Sequence, residues 1–435
     1  MTISSSLNAS VSSLSANATR LSTISDNIAN SSTYGYKRSE TEFSSLVLQN
    51  ESATYAAGGV TASTYKNISQ LAAPLRTSNS TDISVLGRGL LPVTDTSGAD
   101  QTADVRQLQL ITTGSFRQDS EGTLRTEGGL VLLGWPTDTT GDTGAVSRTS
   151  GANLEPVNLA RFELDSGPTT RIDAPINLPA TATDAGSDGT AYDVPIEYYD
   201  NLGRTHTLTL QFTPTVPGAG SSNTWDLQIF DSSAGAPGAS ITDLNLTFST
   251  TTANPGQLAT VGGADAANYN AATGLINLAL PHGNVDINIG ALATAGGLTQ
   301  TAGAFLPDNT SQDGAPIGTL ESIEIDADGF IQGLYNTGFR RPLYQIPVAD
   351  VANMNGLEAS NAQSYQITRD SGNLFFWNAG EGPTGITAGE TLLESTTDIA
   401  SELTDLIETQ RAYSSSAKIV QTVDEMLQET ANLKR

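Results

Sequence analysis

The feature that most constrains this chain is a heptad pattern near its carboxyl terminus. No Pro or Gly occurs in residues 398–435, and Thr397 and Asp398 can cap the start of a helix there. At 1.5 Å per residue, such a helix would be roughly 55 Å long, which is long for a compact domain. Residues at alternating steps of four and three form the C-terminal seam: Ile399, Leu403, Leu406, Gln410, Tyr413, Ala417, Val420, Asp424, Leu427 and Ala431. So narrow a stripe is typical of a helix that packs against another helix.

A matching pattern lies near the amino terminus. Residues at the same steps form the N-terminal seam: Leu7, Val11, Leu14, Ala18, Leu21, Ser25 and Ile28. One such pattern alone is more typical of an ordinary core helix than of a coiled coil. Because two seams occupy opposite ends of the chain, we favour a terminal pair that packs together in a coiled-coil-like layer. The rest of the chain would then form a lobe that projects outward.

Composition excludes several classes of function. The 435 residues are enough for two or three domains with real cores. A net charge of -26 repels nucleic acid and anionic membrane surfaces, so neither is an expected partner. The absence of Cys excludes disulfides, thiolate metal sites and cysteine nucleophiles. Neither a signal peptide at the amino terminus nor an apolar run of membrane-spanning length is present. The protein therefore either stays in the cytoplasm or leaves by a route that reads no cleaved signal.

The sequence contains few patterns that are typical of an enzyme active site. Its only histidines, His206 in a predicted strand and His282 after a Pro, lack the spacing of a metal motif. Residues 87–89 begin like a dinucleotide loop but run into Leu-Leu-Pro, and residues 326–329 lack the later ligands of a calcium loop. We therefore expect no catalytic residues, no cofactor and no metal site.

The centre of the chain predicts β-structure in two blocks. Strand-like runs begin near residue 83, and hairpin turns with an acid and a Gly are predicted at 121–122 and 326–329. These distant hairpins predict one domain built from separate chain segments. Short alternating strands at 194–200, 205–212 and 225–230 predict a sandwich or barrel between them.

The predicted fold class is therefore α+β and multidomain. Terminal helices form a coiled-coil-like layer, and two β-rich domains of hairpin, sandwich or barrel type occupy the centre, the second inserted in the first. Residues 38–75 are polar and without a regular pattern, and Gly58 and Gly59 mark a flexible point in this stretch. The predicted parts are a helical inner-tube domain (1–30 and 398–435), an extended arm (31–75 and 366–397), a discontinuous β-rich domain (76–165 and 316–365) and an inserted outer domain (166–315).

A short motif follows the N-terminal seam. Its residues are Asn27, Ile28, Ala29 and Asn30, then Gly35, Tyr36 and Lys37. Asn30 is a natural helix stop and Gly35 a turn position, which predicts a sharp exit into an extended arm. The motif closely resembles the amino-terminal signature of the bacterial flagellar rod and hook family, a heptad helix with N-I-A-N and T-x-G-[FY]-K. Residues 402–413 and 424–427 are similar to the closing helix of the same family.

The resemblance implies a structural subunit of the flagellum. The large central insertion favours the hook, a flexible curved tube that passes torque and exports later axial subunits, over a distal rod. It implies that the two seams are the assembly interface of a helical homopolymer outside the cell. The implied partners are the rod, hook cap and hook-filament junction proteins and the export apparatus. An adhesin or surface-layer protein and a glycan-processing enzyme, which needs two converging carboxylates, remain as alternatives.

Overall fold

Helices occupy both Pro- and Gly-free terminal stretches, as the sequence predicts. The computed structural model describes residues 3–46, 58–102, 106–234, 239–307 and 310–433. Helix α1 spans Ile3–Ala29, α2 is the single turn Thr96–Ala99, and α3 spans Ile399–Leu433. The Asp398 side chain caps α3, because its Oδ1 accepts a hydrogen bond from the backbone N–H of Ser401 at 3.0 Å. Short 3-10 turns lie at Gly151–Asn153, Ala160–Phe162, Ala180–Thr183, Ala266–Asn268 and Met354–Gly356.

The region between the terminal helices is built almost entirely of strands. The first group is β1 (Ser39–Ser45), β2 (Val60–Lys66), β3 (Pro74–Arg76), β4 (Asp82–Leu86), β5 (Leu91–Asp95), β6 (Gln109–Ile111), β7 (Thr113–Gln118), β8 (Leu124–Thr126), β9 (Leu130–Pro136) and β10 (Glu155–Pro156). The second group is β11 (Leu164–Gly167), β12 (Arg171–Asp173), β13 (Asn177–Pro179), β14 (Tyr192–Tyr199), β15 (Thr205–Pro214), β16 (Thr224–Asp231), β17 (Thr242–Phe248), β18 (Leu258–Gly262), β19 (Tyr269–Asn270), β20 (Leu275–Leu280), β21 (Gly283–Asn288), β22 (Thr299–Thr301) and β23 (Ser311–Gln312). The third group is β24 (Ala315–Ile325), β25 (Phe330–Tyr335), β26 (Arg340–Gln345), β27 (Val348–Val351), β28 (Glu358–Ala359), β29 (Tyr365–Gln366), β30 (Leu374–Trp377), β31 (Ile386–Gly389) and β32 (Thr391–Leu393).

The chain forms two compact units. The first contains Met1–Arg161, Ser322–Gly333 and Arg341–Arg435, and the second contains Phe162–Glu321 and Leu334–Arg340. Both terminal helices therefore belong to the same unit as the first β-rich region. The finer division of that unit into helical domain, arm and β-rich domain stays a prediction.

The first unit has an antiparallel sheet at its centre. Strands β26, β9, β5, β6, β29 and β28 are neighbours in that order. Trp135 and Phe376 anchor the core beside it, with ring centroids 6.3 Å apart in an edge-to-face arrangement. The predicted hairpin at 121–122 is confirmed, because β7 pairs with β8 across this turn.

The second unit consists mainly of two five-stranded sheets. One has the order β14-β15-β16-β17-β18 and the other the order β19-β20-β21-β12-β23. The predicted strands at 194–200, 205–212 and 225–230 correspond to β14, β15 and β16. Side chains from both sheets, among them Trp225, Phe212 and Ile287, form one hydrophobic core, as in a sandwich.

The stretch predicted as an irregular arm contains regular structure. Strands β1 and β2 pair antiparallel from Ser39↔Lys66 to Ser45↔Val60. Gly59 is a packed position rather than a flexible point, since its φ is +92° and an added Cβ would lie 2.4 Å from Ser12 Oγ. Sequence reasoning missed this hairpin because most of its residues carry hydroxyl or charged side chains, and few are apolar enough to show the alternation of a strand. Val47 and Leu48, part of a small apolar cluster in the sequence, lie outside the described residues.

Four turns share one device, an Asp followed three residues later by a Gly. In each, the Asp Oδ1 accepts hydrogen bonds from the backbone N–H groups two and four residues ahead, at 2.8–3.1 Å. The Gly of each turn has φ between +71° and +90°, a conformation that other residues rarely adopt. The four Asp residues are Asp119, Asp138, Asp200 and Asp326. The predicted turn at 326–329 is therefore confirmed as a turn.

Candidate assembly interface on the terminal helices

Helices α1 and α3 pack against each other in antiparallel orientation through small and polar side chains. Ser13 Oγ lies 3.0 Å from Ser416 Oγ, and Arg20 Nη2 lies 3.4 Å from Asp405 Oδ1. The buried positions of α3 recur every seven residues: Glu402, Thr409, Ser416 and Val423. On α1 the buried positions are Ser10, Ala16, Asn17, Thr23, Ile24 and Asn27. The heptad period is therefore present in the contact, but it runs through different residues from the two seams.

The seam residues lie mostly outside this contact. Val11 is 52% exposed, and Ile399, Leu403, Tyr413 and Leu427 are 43–49% exposed. Ala18, Ser25, Gln410 and Asp424 are also exposed, whereas Leu7, Leu14, Leu21, Ile28, Leu406, Ala417 and Val420 are half-buried. The side chain of Ala431 lies outside the described residues. The two terminal helices therefore pack together within one chain, as predicted, but they meet mainly through small and polar side chains rather than through the seam residues.

The motif after α1 holds the two ends of the chain together through Asn27. Its side-chain amide Nδ2 donates to the backbone carbonyl of Ser39 at 2.9 Å and to Glu402 Oε1 at 3.2 Å. Its Oδ1 accepts from the backbone N–H of Ser39 at 2.9 Å and from the Tyr36 hydroxyl at 3.1 Å. Asn27 is 1% exposed. A buried amide with these partners fixes where the chain leaves α1 relative to the first turn of α3.

Other motif residues build the turn itself. Asn30 donates to the Asp26 carbonyl at 2.9 Å and closes the helix, while Ala29 is exposed. Gly35 has φ +72°, and its N–H donates to the Leu393 carbonyl at 2.8 Å. Lys37 is buried, and its Nζ donates to the Gln70 carbonyl at 2.5 Å. Burial lowers the pKa of Lys37 to about 8.

Sequence reasoning missed the charged cluster that accompanies this turn. Arg38 Nε donates to Glu402 Oε1 at 2.5 Å, and Arg38 Nη2 lies 3.3 Å from Asp405 Oδ2. The Glu402 side chain is fully buried. Burial lowers the pKa of Arg38, but the hydrogen bond and charge of Glu402, with the charges of Glu40 and Asp405, raise it above its ordinary value. The sequence signals that could have predicted this cluster are Arg38, directly after the motif, and the acids Glu402 and Asp405, about one turn apart in α3.

A second group that sequence reasoning missed lies in the other unit. Asp200, His206 and His282 offer donor atoms within 4.8 Å of one another. The two histidines are far apart in sequence, so no metal-binding motif predicts that they lie together. Among the described residues, no helix combines the length and the apolar character needed to cross a membrane.

Full-length relatives of this chain are flagellar hook proteins. The flagellar hook protein FlgE of Brucella suis biovar 1 (strain 1330) is 32% identical over 426 residues, covering 98% of each chain. The same protein of Rhizobium meliloti (strain 1021) is 32% identical and covers 100% of each chain.

The chain belongs to the flagellar hook protein FlgE family. Similarity at lower identity extends to another hook protein: FlgE of Salmonella typhimurium is 27% identical, over 99% of this chain and all of its own length. A crystal structure of Helicobacter pylori flagellar hook protein FlgE2 matches with a TM-score of 0.48 and 12% identity, over 73% of this chain and 100% of that chain.

Three family models locate the resemblance along this FlgE homologue. Residues 7–37 match the flagella basal body rod protein model, and residues 389–433 match the flagellar basal body rod FlgEFG protein C-terminal model. Residues 163–315 match the flagellar basal body protein FlaE D2 domain. The chain is a structural subunit of the flagellar hook, part of the flagellum, in a non-enzymatic family.

Proposed function

We propose that this chain polymerises into the hook tube through the exposed faces of α1 and α3. The observation that carries the proposal is the apolar stripe that α3 leaves uncovered while its polar face contacts α1. Ile399, Leu403, Ile407 and Tyr413 are 44–50% exposed, and the helical repeat places them on one side of this helix. Large apolar side chains exposed together on one side of a helix favour an interaction site.

The occupant of this stripe is a second copy of the chain. The seams differ between the two helices, so a contact between an α3 face and a neighbour's α1 face joins two different surfaces. Heterologous contacts of this type repeat without closing and generate an open helical assembly. The terminal helices then form a coiled-coil-like inner tube, with the second β-rich domain inserted in the first and facing outward.

The composition of both helices supports assembly-coupled folding. Hydroxyl side chains bond back to carbonyls one turn earlier, as Ser10 does to Ser6, Thr23 to Thr19 and Thr404 to Ala400. Such bonds weaken the helix in isolation, and helices without a packed partner are marginal in water. Termini that complete their structure only beside neighbours suit export through a narrow channel without a cleaved signal.

The tube acts as a universal joint between motor and filament. Neighbouring outer domains slide while contacts between terminal helices persist, and the central channel passes later axial subunits outward. Its partners beyond itself are the rod, the hook cap, the hook-filament junction proteins and the export apparatus. The protein lies outside the cell.

The substitution Leu403→Ser tests the interface. Leu403 is 48% exposed, so the free energy of unfolding of the single chain should change by no more than about 0.5 kcal/mol. Tube formation by the purified protein, followed by sedimentation and electron microscopy, should be lost or strongly reduced.

Leu164→Ser is the matched control, because it makes the same change at a leucine that is 67% exposed outside the helices. This variant should polymerise like the parent. Normal curved tubes from Leu403→Ser would overturn the proposal, as would flat two-dimensional sheets from the parent chain.

A further inference from the structure

The two histidines of the chain meet in the second unit. His206 lies on β15 in one five-stranded sheet, and His282 lies in the turn between β20 and β21 of the other. Their rings stack with centroids 5.1 Å apart and planes inclined by 12°. A chain with only two histidines among 435 residues thus brings both to one point where the two sheets meet.

A carboxylate completes the group. Asp200 Oδ2 lies 3.2 Å from His206 Nε2, and the Asp200 side chain is fully buried while that of His206 is 17% exposed. One donor atom each from Asp200, His206 and His282 lies within 4.8 Å of the other two. The three side chains therefore converge from two places in the chain, the β14–β15 hairpin turn and the β20–β21 turn.

The backbone around Asp200 holds this carboxylate in place. Its Oδ1 accepts hydrogen bonds from the backbone N–H of Leu202 at 2.9 Å and of Arg204 at 2.8 Å. Asp200 is therefore an oriented carboxylate, and its Oδ2 lies on the side of His206 Nε2.

We propose that Asp200, His206 and His282 bind a divalent transition-metal ion of the zinc class, which clips the two sheets of the second unit together. Two imidazoles and one carboxylate are a donor set that suits Zn²⁺ and similar ions. With metal-ligand bonds of about 2.0–2.1 Å, ligand atoms of a tetrahedral site lie roughly 3.4 Å apart. The 3.2 Å separation of Asp200 Oδ2 and His206 Nε2 already fits this spacing. His282 closes the site by a small movement of its turn, and water takes the fourth position.

Arg204 competes with the ion for Asp200. Its Nε lies 3.1 Å from Asp200 Oδ2, but its side chain is 60% exposed and can swing into solvent. Binding the ion therefore displaces one charge partner of Asp200. Removing this competitor should tighten binding, a result that scattered surface carboxylates would not give.

Zinc titration of the full-length chain, after treatment with a chelator, tests the site. Calorimetry should find one equivalent of Zn²⁺ bound, and Co²⁺ should give the visible spectrum of a four-coordinate site. At a hundredfold excess over the dissociation constant, Zn²⁺ should raise the unfolding midpoint of the second unit by roughly 5–10 °C.

Three variants separate this site from weak binding to surface acids. His206→Gln and His282→Gln should each weaken Zn²⁺ binding at least tenfold, while Arg204→Gln should strengthen it severalfold. Unfolding measured without metal checks that each variant folds, and Mg²⁺ serves as the control ion, with no expected effect on the midpoint. Zn²⁺ binding by His282→Gln equal to that of the parent, or no zinc-dependent rise in the midpoint, would overturn the proposal.

Discussion

Asn27 shows how one side chain connects the two ends of this chain. Its amide joins the exit of α1, the start of β1 and the first turn of α3 through four hydrogen bonds. The partners Ser39 and Glu402 are buried as well. Losing the amide would leave these buried groups with fewer partners, and unpaired buried polar groups are expensive.

We expect Asn27→Ala to lower the free energy of unfolding of the first unit by roughly 2–3 kcal/mol. Chemical denaturation followed by near-ultraviolet circular dichroism measures the change. Asn30→Ala is the control, since Asn30 bonds only to groups near the end of α1 and should cost about 1 kcal/mol or less. Equal losses in both variants would show that Asn27 does not hold α3.

Lys37 gives the first unit a pH dependence on the alkaline side. Burial lowers its pKa to about 8 from an ordinary 10.5, so above pH 8 the unfolded chain binds more protons than the folded one. Stability therefore rises with pH from about 8. Burial and the hydrogen bond to Asp26 raise the pKa of Tyr36 to about 12, so this residue lowers stability above pH 10.

We expect Lys37→Met to reduce the rise in denaturation midpoint between pH 7.5 and pH 9.5. A smaller rise remains, because burial also lowers the pKa of Lys66. Denaturant titrations at several pH values measure the slope, and Lys418→Met, at an exposed lysine of α3, should leave it unchanged. A slope in Lys37→Met as steep as in the parent would contradict this account.

Helix α3 has two faces with different partners. Its small and polar face contacts α1 through Ser416 and Glu402, while Leu403, Gln410 and Asp424 of the C-terminal seam are exposed. Gln410 and Asp424 interrupt that seam with polar groups. Polar residues at seam positions lower the stability of a helix-helix contact but specify its register. Substitution by Leu should therefore stabilise contacts between subunits on the exposed face and destabilise the single chain on the face that contacts α1.

We expect Gln410→Leu with Asp424→Leu to stabilise the assembled tube and make it less able to bend. The single chain should change by no more than about 0.5 kcal/mol, because both residues are exposed. By contrast, Ser416→Leu should lower single-chain stability by roughly 1–3 kcal/mol, since Ser416 is 8% exposed against α1. Thermal disassembly of tubes and swarming motility are the measurements, and normal motility of the double variant would refute the register hypothesis.

The whole molecule has separate hydrophobic cores in its two units. The core of the second unit draws its buried residues from 172–298 alone, and Trp225 is one of its fully buried side chains. The first unit relies on Trp135 and its neighbours, and also carries α1 and α3. Damage to the terminal helices should therefore not spread to the second unit.

Deleting residues 398–435 should abolish polymerisation and destabilise the first unit, because Arg38 and Asn27 lose their partners in α3. The second unit should keep its unfolding transition in calorimetry. Loss of both transitions would contradict the independence of the two cores.

The sequence by itself determined the elements with strong local signals. The two helices follow from long stretches without Pro or Gly, and the Asp-Gly turns follow from residues that suit left-handed backbone. The strands around Trp225 follow from alternation of apolar and polar residues. The Asn27 to Lys37 motif also indicated the family, through its resemblance to the amino-terminal signature of flagellar rod and hook proteins.

Only the tertiary structure decided which faces these elements bury. Heptad spacing predicts that a stripe needs a partner, but it does not say whether that partner is in the same chain. Small side chains at Ser13 and Ser416 allow α1 and α3 to approach on a polar face, which leaves apolar seam residues such as Val11, Leu403 and Tyr413 exposed. Asn27 with Glu402, and His206 with His282, likewise meet only through long-range packing, which has no signature in local sequence.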